Sequence, residues 1–401
     1  MAFEDLSLKE YFSLKQKEAL SIDPWNDKEI YFGDSHLIGR IKRRLETDFV
    51  QPRGVPKFFV YGAFGSGKTH TLAYISYELE RSKMHPAEPI YVDIAPLRAK
   101  DSFLRIYSRL LDAVGLDRVR DATEAVVDSI PVPDKVQGML DENILPFGDD
   151  TLKVSQANVF RNVLYGGRQS QLSWSWMKGR KNSPDEATML GVQKDLIEPA
   201  DLVNCLLNIG SLWYAGSNRK KIVFLVDEVE AIRSVTNPDS LDEIQHMLRL
   251  LLENANTFVG FVFAVQAEGG MEGIGETLTR EDIRRRVDYD QGYVDLTAMV
   301  NEPASVREFM ARVLEHLIDR VRVEETIRVE GLETTAELFP FTESAVGAIC
   351  QHLADRPELA SPAFIISAMS NAAVEAWRRR GQRDVHLLVD REIVEETVYP
   401  G

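Results

Sequence analysis

The chain has 401 residues, room for two ordinary domains or for one large α/β unit with a helical appendage. Its 47 Lys and Arg stand against 63 Asp and Glu, a formal charge of −16, which excludes a surface built throughout to coat nucleic acid but leaves room for a local basic stripe. With 44% hydrophobic and 27% charged residues, the composition is that of a globular protein and not of a disordered one.

Residues 1–35 read as a polar arm dotted with Phe3, Tyr11, Phe12, Pro24, Trp25, Tyr31 and Phe32, aromatics expected to pack on the protein's own body. From 35 to 49, apolar residues recur at helical spacing behind a capping Ser35, and Pro52, Arg53 and Gly54 end that helix. Residues 58–61 form a short apolar strand and 62–69 a glycine-rich loop, after which Leu72, Ile75 and Leu79 set a helix. A second strand over 90–94 and a helix over 101–115, with Phe103, Ile106, Tyr107, Leu110 and Leu111 on one face, repeat the alternation of a parallel sheet. Between about 116 and 198 the periodicity weakens. Pro131, Pro133, Pro146, Pro184 and the pair Gly166-Gly167 punctuate this stretch, which predicts an insertion. The alternation returns with a helix over 201–214, a buried strand over 222–226, an amphipathic helix over 241–252, an apolar strand over 258–265 and a short last strand over 293–296. After Pro303 only helices are predicted, over 306–321, 344–353, 362–380 and 391–397, with a domain boundary near Asn301. The fold class is therefore α/β. A parallel-sheet nucleotide-binding domain covers 36–300 with its insertion at about 116–198, preceded by the arm 1–35 and followed by an all-helical domain, 301–401.

The residues Gly62, Ala63, Phe64, Gly65, Ser66, Gly67, Lys68 and Thr69 fit G-x-x-x-x-G-K-[ST] at every fixed position, between a strand and a helix. Glycines let successive main-chain N–H groups converge on phosphate oxygens, and the following helix turns its positive end toward them. Lys68 is expected to reach the β- and γ-phosphates of ATP and the Thr69 hydroxyl to coordinate Mg²⁺, with His70 beside it among the nucleotide contacts. Such a site needs a second metal anchor at the end of a neighbouring buried strand. The run 222–226 leads to Asp227 and Glu228: Asp227 is expected to hold the metal through water, and Glu228 to polarise the attacking water as general base.

These residues, in this order, resemble the AAA+ ATPases. That resemblance implies a polar sensor 1 residue at the end of the next strand, here Gln266, where the family usually has Asn, Ser or Thr. It also implies an arginine finger before the last strand that reaches the nucleotide of an adjacent subunit. Arg284, Arg285 and Arg286 stand in that region, and the sequence leaves open which of them serves. The helical tail is similar to the family's lid, but Ala363 stands where a sensor 2 Arg is common. Within AAA+, YGAFGSGKTHTL and PIYVDIAPL look most like the origin-recognition and transposition-regulator group. That group carries a winged helix after the lid, a module not expected in a chain ending at Gly401. The run 174–192, followed by a helix and then the strand before Asp227, is also similar to the ATP-binding proteins of bacterial phage-resistance loci such as BREX.

Basic clusters occur at 42–44, 178–181, 219–221 and 378–380. The second, beside Trp174 and Trp176, combines charge with a stacking surface and is the first choice for contact with DNA phosphates. Cys205 and Cys350 lie in apolar helical stretches and read as buried thiols, giving neither a disulfide scaffold nor a zinc ribbon. Glu4 and Asp5 stand where a signal peptide needs positive charge, and the longest uncharged run, 202–218, is too short and polar to span a membrane. The expectation is a cytoplasmic, membrane-free ATPase that converts ATP to ADP and phosphate with Mg²⁺. It is expected to assemble as a homo-oligomeric ring or filament and to load or regulate a protein complex acting on DNA, in phage defence or mobile-element control. Two alternatives stay open: an oligomeric switch or scaffold in which ATP binding gives the output, and a P-loop signalling ATPase that does not assemble.

Overall fold

The computed structural model describes residues 6–32, 35–50, 54–253, 257–296, 302–382 and 388–398. A single turn, α1 (Leu8–Tyr11), precedes α2 (Ser35–Val50), β1 (Lys57–Gly62) and α3 (Lys68–Arg81). Next come β2 (Ala87–Asp93) and α4 (Phe103–Val114), whose predicted apolar face is buried at all five positions. The insertion is a run of helices: α5 (Leu116–Ser129), α6 (Lys135–Asp141), α7 (Asp150–Val163), α8 (Gly167–Met177) and α9 (Pro184–Leu190). Then follow α10 (Pro199–Gly216), β3 (Lys221–Asp227), a 3₁₀ turn (Val229–Ser234), α11 (Pro238–Leu251) and β4 (Val259–Gln266). Two short helices, α12 (Glu276–Thr279) and α13 (Glu281–Arg286), lead to β5 (Tyr293–Asp295). The tail holds α14 (Pro303–Leu317), α15 (Arg320–Glu330), α16 (Glu343–Asp355), α17 (Pro362–Arg378) and α18 (Arg391–Val398). The end predicted for α2 at 52–54 falls partly, and the boundary near Asn301 wholly, outside the described residues. No helix among the described residues is long and apolar enough to cross a membrane.

Two compact units result: 1–40, 62–74 and 295–401 form one, and 41–61 with 75–294 the other. The second unit holds the body of the sheet, ordered β2-β3-β4-β1-β5. β2 pairs with β3 in parallel, with Asp93 level with Asp227, and β3 pairs with β4 in parallel. Buried on both faces, β3 and β4 read as continuous apolar runs, whereas β2 is buried at alternate positions toward its end. An aromatic ladder runs across them: Phe224 stacks on Phe261 at 5.4 Å between centroids, and Phe59 on Phe263 at 4.9 Å and Tyr293 at 5.0 Å. The insertion is no separate body, because Val119, Phe160 and Trp176 join the same apolar core as Phe59, Phe224 and Phe261.

In the first unit, the aromatic arm packs on the helical tail. Phe12 meets Phe339 edge-on at 6.4 Å, Phe32 meets Phe309 at 6.2 Å, and the Trp377 indole N–H donates to the Leu6 carbonyl at 3.0 Å. A short antiparallel bridge joins Leu14 to Ile318. The predicted helix 306–321 is two helices: Ile318 is extended, and the Asp319 carboxylate accepts from the N–H groups of Val321 and Arg322 to start α15 afresh.

Candidate functional site

In the first unit, β1 ends at Gly62 and the loop turns into α3 at Lys68. Gly65 (φ +76°) and Gly67 (φ +87°) are left-handed, the conformation that turns loop N–H groups outward and that side chains resist. The Lys68 ammonium donates to the carbonyls of Gly62 (3.1 Å) and Ala63 (3.0 Å), lying over the concave side of its own loop. The Ser66 hydroxyl is buried and has no partner among the described residues, a polar group whose need an oxyanion would meet. The loop is crowded on one side: a Cβ at Gly65 would stand 3.0 Å from Ala363 Cβ and 3.1 Å from Ser361 Oγ. There the Ala363 N–H donates to the Gly65 carbonyl at 3.2 Å, and Ser361 caps α17 by accepting from the Phe364 N–H. The position expected for a sensor 2 side chain thus meets the phosphate loop through its main chain.

Two residues on the first turn of α3 tie it to the arm. Thr71 gives its hydroxyl proton to the Gly67 carbonyl (2.9 Å), so the Tyr31 phenol is the donor in the 3.1 Å bond between them. His70 donates from Nε2 to the Ile30 carbonyl at 2.6 Å and lies against Tyr31 and Phe32. Burial holds its imidazole below the usual range, so the ring is neutral at physiological pH. Phe64, at the loop's tip, is 80% exposed.

In the second unit, Asp227 ends β3 almost wholly buried. One carboxylate oxygen accepts from the Tyr91 phenol at 3.1 Å and the other from the Glu228 N–H at 2.9 Å. Burial, then the charge of Asp227, pushes the Tyr91 phenol well up, so it stays a donor throughout the physiological range. Glu228 is exposed and left-handed (φ 58°), a strained setting for a residue with a long side chain. Among the described residues no group of three or more His, Cys, Asp or Glu could hold a metal by itself. One buried carboxylate plus a hydroxyl suits Mg²⁺, which keeps waters and binds mainly through substrate phosphates. At the end of β4, Gln266 is gripped by its main chain: its N–H donates to the Glu230 carboxylate (2.8 Å) and its carbonyl accepts from Arg233 (2.9 Å). Tyr91, Glu230 and Arg233 carried no signal in the sequence, because their partners lie far along the chain.

The three candidate arginines differ. Arg284 pairs with Asp290 at 2.7 Å, and Arg286 pairs with Glu253 and donates to the Asp282 carbonyl. Arg285 is exposed and has no partner among the described residues. The cluster 178–181 departs from expectation. Trp176 is fully buried on α8 with its N–H on the Lys194 carbonyl, Trp174 is partly buried against the core, and Lys178 is paired with Asp112, while Arg180 and Lys181 are exposed. Likewise Arg44 is paired with Asp48, and Arg379 with Glu375 and Glu396. Cys205 is buried, its thiol pushed up to about 12 by burial, whereas Cys350 is only half-buried.

The KAP family P-loop domain matches residues 52–264, more than half of the chain. No curated protein matches the sequence. Among solved structures, the ORC1 protein of Aeropyrum pernix in complex with DNA is similar at 15% identity and TM-score 0.42, over 90% of this chain and 64% of that one. The chain thus spans less than two thirds of that protein's length. The Walker-type ATPase PABY2304 of Pyrococcus abyssi is similar at 12% identity and TM-score 0.41, over 91% of this chain and 74% of that one. The ORC2 protein of Aeropyrum pernix, in ADPNP-ADP complexes, is similar at 12% identity and TM-score 0.41, over 96% and 72%.

Proposed function

The chain belongs to the KAP family of P-loop NTPases, and on that premise we propose that it binds ATP on the loop 62–69 and hydrolyses it to ADP and phosphate. The observation that carries this reading is the strand end: a buried, doubly hydrogen-bonded Asp227 beside an exposed Glu228 on a strained main chain. Mg²⁺, when bound, would neutralise charge on the phosphates, held by Asp227 and Thr69. Glu228 takes a proton from water as the water oxygen bonds to the γ-phosphorus and the bond to the β–γ bridging oxygen breaks, leaving ADP. Lys68 balances charge on the transferred group, and the Gln266 amide orients the water or the γ-phosphate. Arg285 is the trans finger in this reading, supported by its exposure and by the ion pairs that occupy Arg284 and Arg286. The active form is then a homo-oligomer. Its partner is a protein complex acting on DNA in a defence or mobile-element setting, and no DNA patch is assigned on this chain. The free thiols Cys205 and Cys350 suit a reducing cytoplasm.

The test is turnover beside nucleotide affinity. Glu228→Gln is expected to lower kcat by about 10²- to 10⁴-fold with ATP affinity kept. Arg285→Ala is expected to lower it by about 10³-fold or more in the assembled protein, with smaller losses for Arg284→Ala. Unchanged turnover in Glu228→Gln overturns the general-base role of Glu228, and a wild type without turnover overturns the hydrolysis reading. Biological output that survives in that variant would favour a switch driven by binding.

A further inference from the structure

The 3₁₀ turn Val229–Ser234 follows Glu228 directly. With three residues per turn, side chains three apart stand above one another. Val229 and Ile232 are both buried, and this leaves Glu230 and Arg233 together on another face. Both reach the end of β4. Glu230 accepts from the Gln266 N–H at 2.8 Å, and one nitrogen of Arg233 donates to the carbonyls of Gln266 (2.9 Å), Gly273 (2.5 Å) and Ile274 (3.0 Å). The glycine-rich loop so gathered closes tightly on itself, since a Cβ at Gly273 would stand 2.0 Å from the Glu268 carbonyl oxygen. The main chain of Gln266 is therefore held on both sides by side chains from the turn, while its own side-chain amide has no partner among the described residues.

We propose that Glu230 and Arg233 are positioning residues: they fix the end of β4 and the loop 267–275 in register with Asp227 and Glu228, so that the Gln266 amide is aimed. The role follows from geometry. Glu230 and Arg233 sit on the same six-residue turn that Glu228 opens, so any displacement of Glu228's main chain is passed to Gln266 through two charged hydrogen bonds. Arg233 is largely exposed, so water can reach the carbonyls it leaves when removed. Its loss should fall on alignment more than on folding.

The proposal rests on the hydrolysis reading for its effect on turnover, and a second readout stands apart from it. Arg233→Ala and Glu230→Ala are each expected to lower kcat at least tenfold, with ATP affinity within about twofold and Tm within a few degrees. Arg233→Lys, which keeps three donors, and Glu230→Gln, which keeps an acceptor oxygen, are expected to restore most of the rate. Hydrogen exchange of the amides 266–275 should quicken in both alanine variants. Unchanged kcat in an active wild-type background overturns the proposal, as does a loss of rate that the conservative variants fail to restore. If the wild type does not turn over ATP, the hydrolysis reading falls, and exchange alone decides: faster exchange at 266–275 in Arg233→Ala sustains the positioning role, and unchanged exchange overturns it.

Discussion

The loop 62–69 is held mainly by its own main chain, whereas the strand end at Asp227 is held by side chains from elsewhere in the chain. In the loop, two left-handed glycines and the carbonyls of Gly62 and Ala63 supply the shape, and the Lys68 ammonium folds onto them. At the strand end, Tyr91 from β2 holds Asp227, and Glu230 and Arg233 hold Gln266. The contrast follows from what each part must do. Phosphate oxygens are met by many identical main-chain donors, which glycine alone can present so closely. A general base and a sensing amide must each be aimed singly, and only packed or hydrogen-bonded side chains do that.

A large effect is expected where this division is sharpest. Lys68 is the charged side chain that folds onto the loop's own carbonyls, and Lys68→Ala should lower turnover by about 10²- to 10³-fold. Unlike Glu228→Gln, it should also weaken ATP binding, which titration calorimetry reads directly. Equal affinities in the two variants would erase the distinction between a binding loop and a catalytic strand end.

A smaller effect separates two glycines of the loop. An alanine at Gly65 meets both a left-handed main chain and the Ala363 Cβ at 3.0 Å, whereas one at Gly67 meets nothing within 4 Å. Strain of about 1–3 kcal/mol applies at either position, but only Gly65 adds a collision with α17. Gly65→Ala is expected to weaken ATP binding by about tenfold and to lower Tm below that of Gly67→Ala. Similar values for both would mean that the main chain alone decides and that the contact with Ala363 is immaterial.

The same contrast explains what could be read from the sequence. The loop was legible because its partners are its own neighbours, so every fixed position falls within eight consecutive residues. The strands were legible because burial on both faces leaves unbroken apolar runs, and Asp227 and Gln266 end theirs as polar punctuation. Glu230 and Arg233 were not legible, since each bonds residues 33 to 41 positions away. In α15, the run RVRVEETIRVE buries only Val323 fully, so it carries no apolar stripe to announce a second helix. Trp174 and Trp176 alternate as on a strand but lie on α8, where that spacing puts one indole in the core and leaves the other partly covered.

The smallest effect probes the strand end at its least visible support. Tyr91 donates to Asp227 from β2, and burial keeps that phenol protonated, so its contribution should not vary across the physiological pH range. Tyr91→Phe removes one hydrogen bond and no packing. A typical bond of this kind is worth about 1 kcal/mol, which predicts a loss of roughly fivefold. The Glu228 N–H still holds the other oxygen of Asp227, so the carboxylate should swing without leaving the site. The loss should therefore appear as weaker Mg²⁺ binding, a higher half-saturation in the metal dependence of turnover, with kcat at saturating metal nearly restored. A drop in kcat that excess Mg²⁺ leaves untouched would mean that Tyr91 acts on the reacting groups instead, and that the strand end depends on it more directly than the loop depends on any side chain but Lys68.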